Sequence, residues 1–282
     1  MATMEIESSF IVIAYLRQKD GVEAPDASWR TLMADTPGSG SVKKAFAILE
    51  LLNSSRRGWN ISEISRKLSI PKSSTHVLVS TLHKLGYITD HLSTHRFQLS
   101  PKIYGLGRRA LQSTPLPEIA LPHLHWGVQQ ISLTTHVGLL EKRQVIFIQK
   151  IDGPGIIKFD TYIGKCSELH CTALGKALLA CQPVDLSLSL LEDYPFHRFT
   201  KNTIHTKAGF LEELAHVRKL GYAMDNEEEE LGIRCVATPI FSGGSVVAAV
   251  SFTGTTMQIP MERINEVVHV AKCVAAKITA QL

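Results

Sequence analysis

This chain lacks what export, membrane insertion or a cysteine framework would require. No apolar run approaches the ~20 residues that span a bilayer. The nearest, Phe10 to Leu16, follows two glutamates and no basic residue, so it has no signal-peptide n-region. Five cysteines, at 166, 171, 181, 235 and 273, make an odd number, and none stands in a C-x-x-C pair. They read as reduced thiols, and the protein is expected in the cytoplasm without a disulfide framework, a cofactor or a membrane partner. Charge is sparse too, at 20% of residues against 44% hydrophobic, a globular composition in a 282-residue chain long enough for two domains.

The charge present is unevenly divided. Between Ser41 and Ser113 there are 12 Lys and Arg against 3 acidic residues, a net +9, whereas the whole chain carries only +4. A basic module joined to a mildly acidic one suggests that the first meets a polyanion. Residues 1–38 show no strong period and end in the loop-forming run Asp35 to Gly40. They read as a poorly ordered extension with one short helix over Phe10–Arg17.

Within the basic module, Ile61 to Leu82 reads as two helices joined at Ser69-Ile70. Asn60 is suited to cap the first helix, whose apolar stripe is Ile61, Ile64 and Leu68, and Pro71 suits the first position of the second. At about 100° per residue the second helix places Ser74, Leu78, Leu82 and Leu85 toward a core and Ser73, His76, Ser80 and His83 outward. Packing and solubility alone would favour Glu, Lys or Gln on that outer face. Short hydroxyls and histidine instead let a helix approach base edges and phosphates. An amphipathic hairpin of some other α-rich domain is the bland alternative. A helix over Val42–Leu52, a stop at Gly86, and strands at Tyr87–His91 and Arg96–Leu99 around the turn Leu92–His95 complete a winged helix-turn-helix over 39–100. Its hairpin tip, with His95 and Arg96, is placed to meet phosphate or the minor groove.

A linker helix is expected over 101–116, and a second domain over 117–282. There, helices are expected at Ile119–Leu133, Cys171–Cys181, Phe210–Leu220 and Ile264–Leu282. Strands are expected at Val137–Glu141, Val145–Ile151, Ile156–Tyr162, Cys235–Ile240 and Val246–Thr253. Hairpin-linked strands interleaved with helices indicate an α+β fold with an antiparallel sheet.

Four segments in this order resemble the IclR-type bacterial transcriptional regulators: IPKSSTHVLVSTLHKLGYI (70–88), HCTALGKALLA (170–180), FTKNTIHTKAGFLEELAHVRKLGYAMDNEE (199–228) and GIRCVATPIFSGGSVVAAVSFTG (232–254). The resemblance runs from Ser41 to Leu282. It implies an operator-binding winged helix-turn-helix, a linker helix used in dimerisation and a GAF-like domain that binds a small organic acid effector. It also implies assembly as a homodimer or homotetramer, with repression commoner than activation. Double-stranded operator DNA would then be met by Lys72, Ser73, Ser74, Thr75, His76, Ser80, His95 and Arg96. The family's effector pocket matches Ile156, Phe159, Ala173, Leu174, Asp225, Cys235, Ser251 and Thr253. Ala173 and Leu174, in a first helical turn, would offer N–H groups to a carboxylate. One departure stands out. Where the family often has Arg after the motif's His, this chain has Val77, so an operator sequence does not carry over from a relative.

Two rival functions rest on single clusters. An enzyme would use Cys235 with Asp225, or His170-Cys171, but a carboxylate beside a thiol opposes the thiolate that such catalysis needs. A metal sensor would use Cys166, His170 and Cys171, at a spacing that matches no closed zinc pattern. The run Glu227–Glu230 reads as a solvated face, with Asp225 just upstream turned inward.

Overall fold

The structure, a computed structural model, describes residues 39–91, 94–111 and 114–282. The expected extension over 1–38 with its short helix, the hairpin-turn residues 92–93 and the linker residues 112–113 lie outside the described residues. The chain divides into two compact units, Met1–Ala110 and Leu111–Leu282.

In the first unit, helices α1 (Gly40–Asn53), α2 (Ile61–Leu68) and α3 (Lys72–Lys84) precede a hairpin of β1 (Ile88–His91) and β2 (Arg96–Leu99). Ile48, Leu51, Leu52, Trp59, Ile64, Val79, Leu82 and Ile88 form its core. α2 opens on a capping box: the Asn60 side chain accepts from the Glu63 N–H at 2.9 Å and Glu63 returns the bond to the Asn60 N–H at 3.0 Å. Ser69, at φ 54°, ends it in the left-handed region. Pro71 stands as the N-cap of α3, one position earlier than expected. Gly58 allows the approach of the hairpin to this layer. At φ 71°, a Cβ there would lie 2.5 Å from the Phe97 carbonyl oxygen, which instead accepts from the Trp59 N–H at 3.0 Å. Helix α4 (Lys102–Leu111) follows and buries none of its side chains.

The second unit is a six-stranded antiparallel sheet in the order β5-β4-β3-β8-β7-β6. Its strands are β3 (Thr134–Glu141), β4 (Gln144–Ile151), β5 (Cys166–Ser167), β6 (Ala223–Asn226), β7 (Ile233–Ser242) and β8 (Ser245–Thr255). Alternation along the strands sends Val137, Val236, Val250 and Phe252 to one face, under α5 (Leu116–Ile131) and α9 (Ile264–Thr279). Phe147, Ala223, Ala237 and Ala249 go to the other face, under α6 (Ala173–Ala180) and α8 (Lys207–Leu220), with α7 (Val184–Leu190) between these two helices in sequence. The small alanines let α6 lie close to the sheet.

The strand expected over Ile156–Tyr162 is a loop. Gly153, Pro154, Gly155 and Gly164 flank the stretch, and the carbonyls of Phe159 and Thr161 accept from Lys150 Nζ at 3.0 and 2.8 Å instead of joining a ladder. The winged helix-turn-helix and the antiparallel α+β domain match the expected fold class.

Candidate functional site

Two surfaces carry the chemistry, one in each unit. On α3, Thr75, Val79 and Leu82 are buried, Leu78, Ser74 and Ser80 are half-buried, and Lys72, Ser73, His76, Val77, Thr81 and His83 are exposed. The helix is thus turned by about one residue from the expected projection, and Leu85 lies outside the core at 54% exposure. Thr75 is corrected from a DNA contact to a core residue. It is fully buried, and its hydroxyl donates back to the Pro71 carbonyl at 3.1 Å. Arg96 is corrected likewise. Its guanidinium donates to both carboxylate oxygens of Glu63 and to the Gly58 carbonyl, each within 2.9 Å, and so ties the wing to α2 instead of pointing at a phosphate. His95 is exposed at the hairpin tip, at φ 50°.

In the second unit the register collects polar groups on the face beneath α6. Asp225 pairs with Cys235, Cys235 with Thr253, and Thr253 with Thr134. Two residues along, the row is Ala223, Ala237, Ser251, His136 and Lys150. Residues directly opposite, and residues two apart, share a face. Asp225, Cys235, Ser251 and Thr253 therefore belong to one surface, with Ala173 and Leu174 of α6 buried above the same face at 1% and 3% exposure. Thr172 caps α6 by accepting the Gly175 N–H at 3.1 Å.

The loop 152–165 is fastened to the same face. His136 Nε2 lies 2.8 Å from Thr161 Oγ1, and the Gly153 N–H donates to Thr134 Oγ1 at 3.0 Å. Phe159, on this loop, is half-buried, but Ile156 is 91% exposed. Ile156 is corrected from a pocket wall to a surface residue, because Pro154 and Gly155 carry the chain outward there instead of along the sheet. Thr134, His136, Lys150 and Thr161 escaped the sequence reading. The alternation in Thr134–Gly138 held the signal, since it places Thr134 and His136 on one face.

Burial governs the electrostatics of this surface. Asp225, 1% exposed, is pushed up to about 8 by burial, to which the Glu229 and Glu228 charges add. The bond from the Glu228 N–H to Asp225 Oδ1, 2.7 Å, and the Lys176 charge oppose this only in part. His136 is pushed down to about 3 by burial and by the charge of Lys150. Burial thus favours the uncharged form of both. The Cys235 thiol is raised by burial and by Asp225, although the Thr253 hydroxyl donates to its Sγ at 3.2 Å.

The acidic run is not wholly solvated. Glu228 is 6% exposed and pairs with Lys176, which is 1% exposed and also donates to the Met224 carbonyl at 2.9 Å. A cavity of about 450 Å³ borders this pair, lined by Lys176, Glu213, His216, Tyr222, Met224 and Glu228 among others, and by none of the expected effector contacts.

Of the rival clusters, Cys235 and Asp225 do come together across the β6–β7 pair, while the Cys166, His170 and Cys171 set is divided between surface and core. Cys171 is fully buried and its thiol is raised by burial, Cys166 is exposed, and His170 Nε2 donates to the His197 carbonyl at 2.8 Å. No group of three or more His, Cys, Asp or Glu among the described residues could hold a metal ion. Among them, too, no helix is long and apolar enough to cross a membrane.

Comparison with known proteins matches a domain in each unit. Residues 41–91 match the IclR helix-turn-helix domain, and residues 108–280 match the bacterial transcriptional regulator IclR C-terminal domain. The HTH-type transcriptional regulator KdgR of Escherichia coli (strain K12) is 34% identical over 243 residues, covering 86% of this chain and 92% of its own. The crystal structure of the Thermotoga maritima IclR superposes with a TM-score of 0.69 at 30% identity, over 86% of this chain and 98% of the other. An IclR homologue from Microbacterium hydrocarbonoxydans, crystallised with 4-hydroxybenzoate, shares the fold with a TM-score of 0.72 at 22% identity, over 86% of this chain and 98% of the other.

Proposed function

We propose, from the premise that this chain belongs to the IclR family of bacterial transcriptional regulators, that it is a repressor released from its operator by a small organic acid. DNA binding follows from the family. The direction of control and the effector are our reading.

The observation that carries the acid is Asp225. A buried carboxylate beside a ligand's carboxylate would repel it, but burial pushes Asp225 up to about 8 and so favours its uncharged form. It lies on the sheet face beneath the first turn of α6, whose dipole favours an anion. Cys235, Ser251 and Thr253 supply hydroxyl and thiol groups against the apolar wall of Ala173, Leu174 and Phe159. An IclR homologue of the same fold was crystallised with 4-hydroxybenzoate, itself a small organic acid. Enzymatic use of Cys235 runs against its raised thiol.

Lys72, Ser73, Ser74, His76, Ser80 and His95 remain as DNA contacts. In a homodimer or homotetramer two copies of α3 would enter successive major grooves of a near-palindromic site. The effector would act by binding one arrangement of the assembly more tightly than the other.

The test is a titration of the purified protein with the DNA upstream of its own gene and with an unrelated duplex, across a salt series, before and after adding a panel of aliphatic and aromatic acids. A preference of ~10³-fold or more, abolished by one of the acids, is the expected result. An acid that tightens binding would reverse the direction of control. Equal binding to both duplexes at every salt concentration would remove operator recognition.

A further inference from the structure

Val77 is 62% exposed at the centre of the outward face of α3, while the other apolar side chains within the helix, Leu78, Val79 and Leu82, pack toward the core. Folding does not ask for it there. Valine is among the weaker helix formers, and an exposed helical position is better served by Lys, Glu, Gln or Ala. Its neighbours leave it uncovered. Ser73 stands one turn before it and Thr81 one turn after, with His76 and Ser80 beside it. The Thr81 hydroxyl donates back to the Val77 carbonyl at 2.8 Å, so it is already occupied. No acidic residue lies on α3, and Arg66, Lys67, Lys72 and Lys84 stand on or just before it.

We propose that Val77 is a specificity-determining residue that packs on the C5 methyl group of a thymine in each operator half-site. This rests on the DNA-binding reading above. An isopropyl group carries neither donor nor acceptor, so it reads none of the nitrogen and oxygen groups of a base edge, and holding it against them would strip their water without replacing it. The one apolar feature of the major groove is the thymine methyl. The operator of this protein would then have an A·T pair at that place in each half-site.

The experiment begins with the full-length protein and randomised duplexes, from which its preferred site is enriched. Each thymine of that site is then replaced singly by uracil, which removes only the methyl group, and affinity is measured for the wild type and for Val77→Ala. Val77 is exposed, so the variant is expected to keep the wild-type melting temperature. The wild type should lose ~4-fold in affinity at one thymine per half-site, the equivalent of ~0.8 kcal/mol for one buried methyl-sized group. With both half-sites substituted the loss should reach ~15-fold. Val77→Ala should be indifferent to uracil at that position and unchanged elsewhere. A wild type indifferent to uracil at every thymine would overturn the proposal, and so would a variant with the same losses as the wild type. Failure to enrich any duplex would instead overturn the DNA-binding reading on which the proposal stands.

Discussion

Arg96 grips Glu63 through two bonds, Nη1 to Oε2 and Nη2 to Oε1, each 2.9 Å long, with both side chains less than a quarter exposed. Glu63 also closes the capping box on Asn60, so one carboxylate joins the wing, the cap and the first helix of the helix-turn-helix. Burial would raise this carboxyl, but the bonds from Arg96 and the Asn60 N–H hold it below its usual range.

Arg96→Ala should therefore act on stability and not on phosphate binding. A loss of roughly 1.5–3 kcal/mol is expected for charge-assisted bonds of this kind, read by urea unfolding. Glu63→Gln should cost less when Arg96 is already absent. The slope of log affinity against log salt should stay at the wild-type value. A slope reduced by about one with unchanged stability would return Arg96 to the DNA surface.

Lys72 and Thr75 separate the two faces of α3. Lys72→Ala should weaken binding to all duplexes alike and lower the salt slope by about one. Thr75→Ala should leave that slope alone and instead cost ~1 kcal/mol of folding stability, through lost packing and the lost bond to the Pro71 carbonyl. A changed base preference in Thr75→Ala, with unchanged stability, would contradict its burial.

Where the sequence was legible, the signal was a period or a cap. Asn60, Ser69 and Gly86 marked the ends of α2 and α3, and the alternation in β7 and β8 gave the hairpin that brings Cys235 and Thr253 together. What escaped was tertiary. The four residues of β6 are too few to show a period, yet they bring Asp225 opposite Cys235. Glu228 reads as one of four surface acids until Lys176, 52 residues away in sequence, is found beside it. Arg96 looks like a phosphate ligand until Glu63 is seen to hold it. Ile156 carried a strand-like pattern that the surrounding glycines cancelled.

The two buried neutral groups of the sheet face give opposite pH dependences. Asp225 is raised from 3.8 to about 8, so the folded state binds the extra proton and stability falls as pH rises across that interval. His136 is lowered from 6.5 to about 3, so the unfolded state binds the extra proton and stability falls as pH drops across that interval. The effects oppose one another below pH 6.5, and above it only Asp225 of these two contributes. Thermal unfolding between pH 6.5 and 8 should show the wild type losing stability relative to Asp225→Asn. Acid effectors should bind the wild type less well above pH 8, as Asp225 ionises, and the variant should bind them evenly. Parallel curves for the two proteins would place the Asp225 titration elsewhere.

Lys176 is a buried charge of α6. It faces Glu228 at 2.5 Å and Glu213 at 3.4 Å, with Asp225 close enough to feel its charge. Burial raises the Glu228 carboxyl, and Lys176 is the principal group that draws it back toward ionisation. Lys176→Met would remove that counter-charge while leaving the acids in place, and removal of one partner of a buried pair costs about 3–5 kcal/mol. The double variant Lys176→Met, Glu228→Leu replaces both charges by apolar groups and should recover most of the loss, because neither desolvated ion remains. Thermal unfolding of the two variants decides between this and a solvated pair. If Lys176→Met costs less than ~1 kcal/mol, the value of an exposed ion pair, water reaches both groups. In the buried case the single variant should also raise Asp225 further, since it loses the nearest cation, and shift the pH midpoint of effector binding upward.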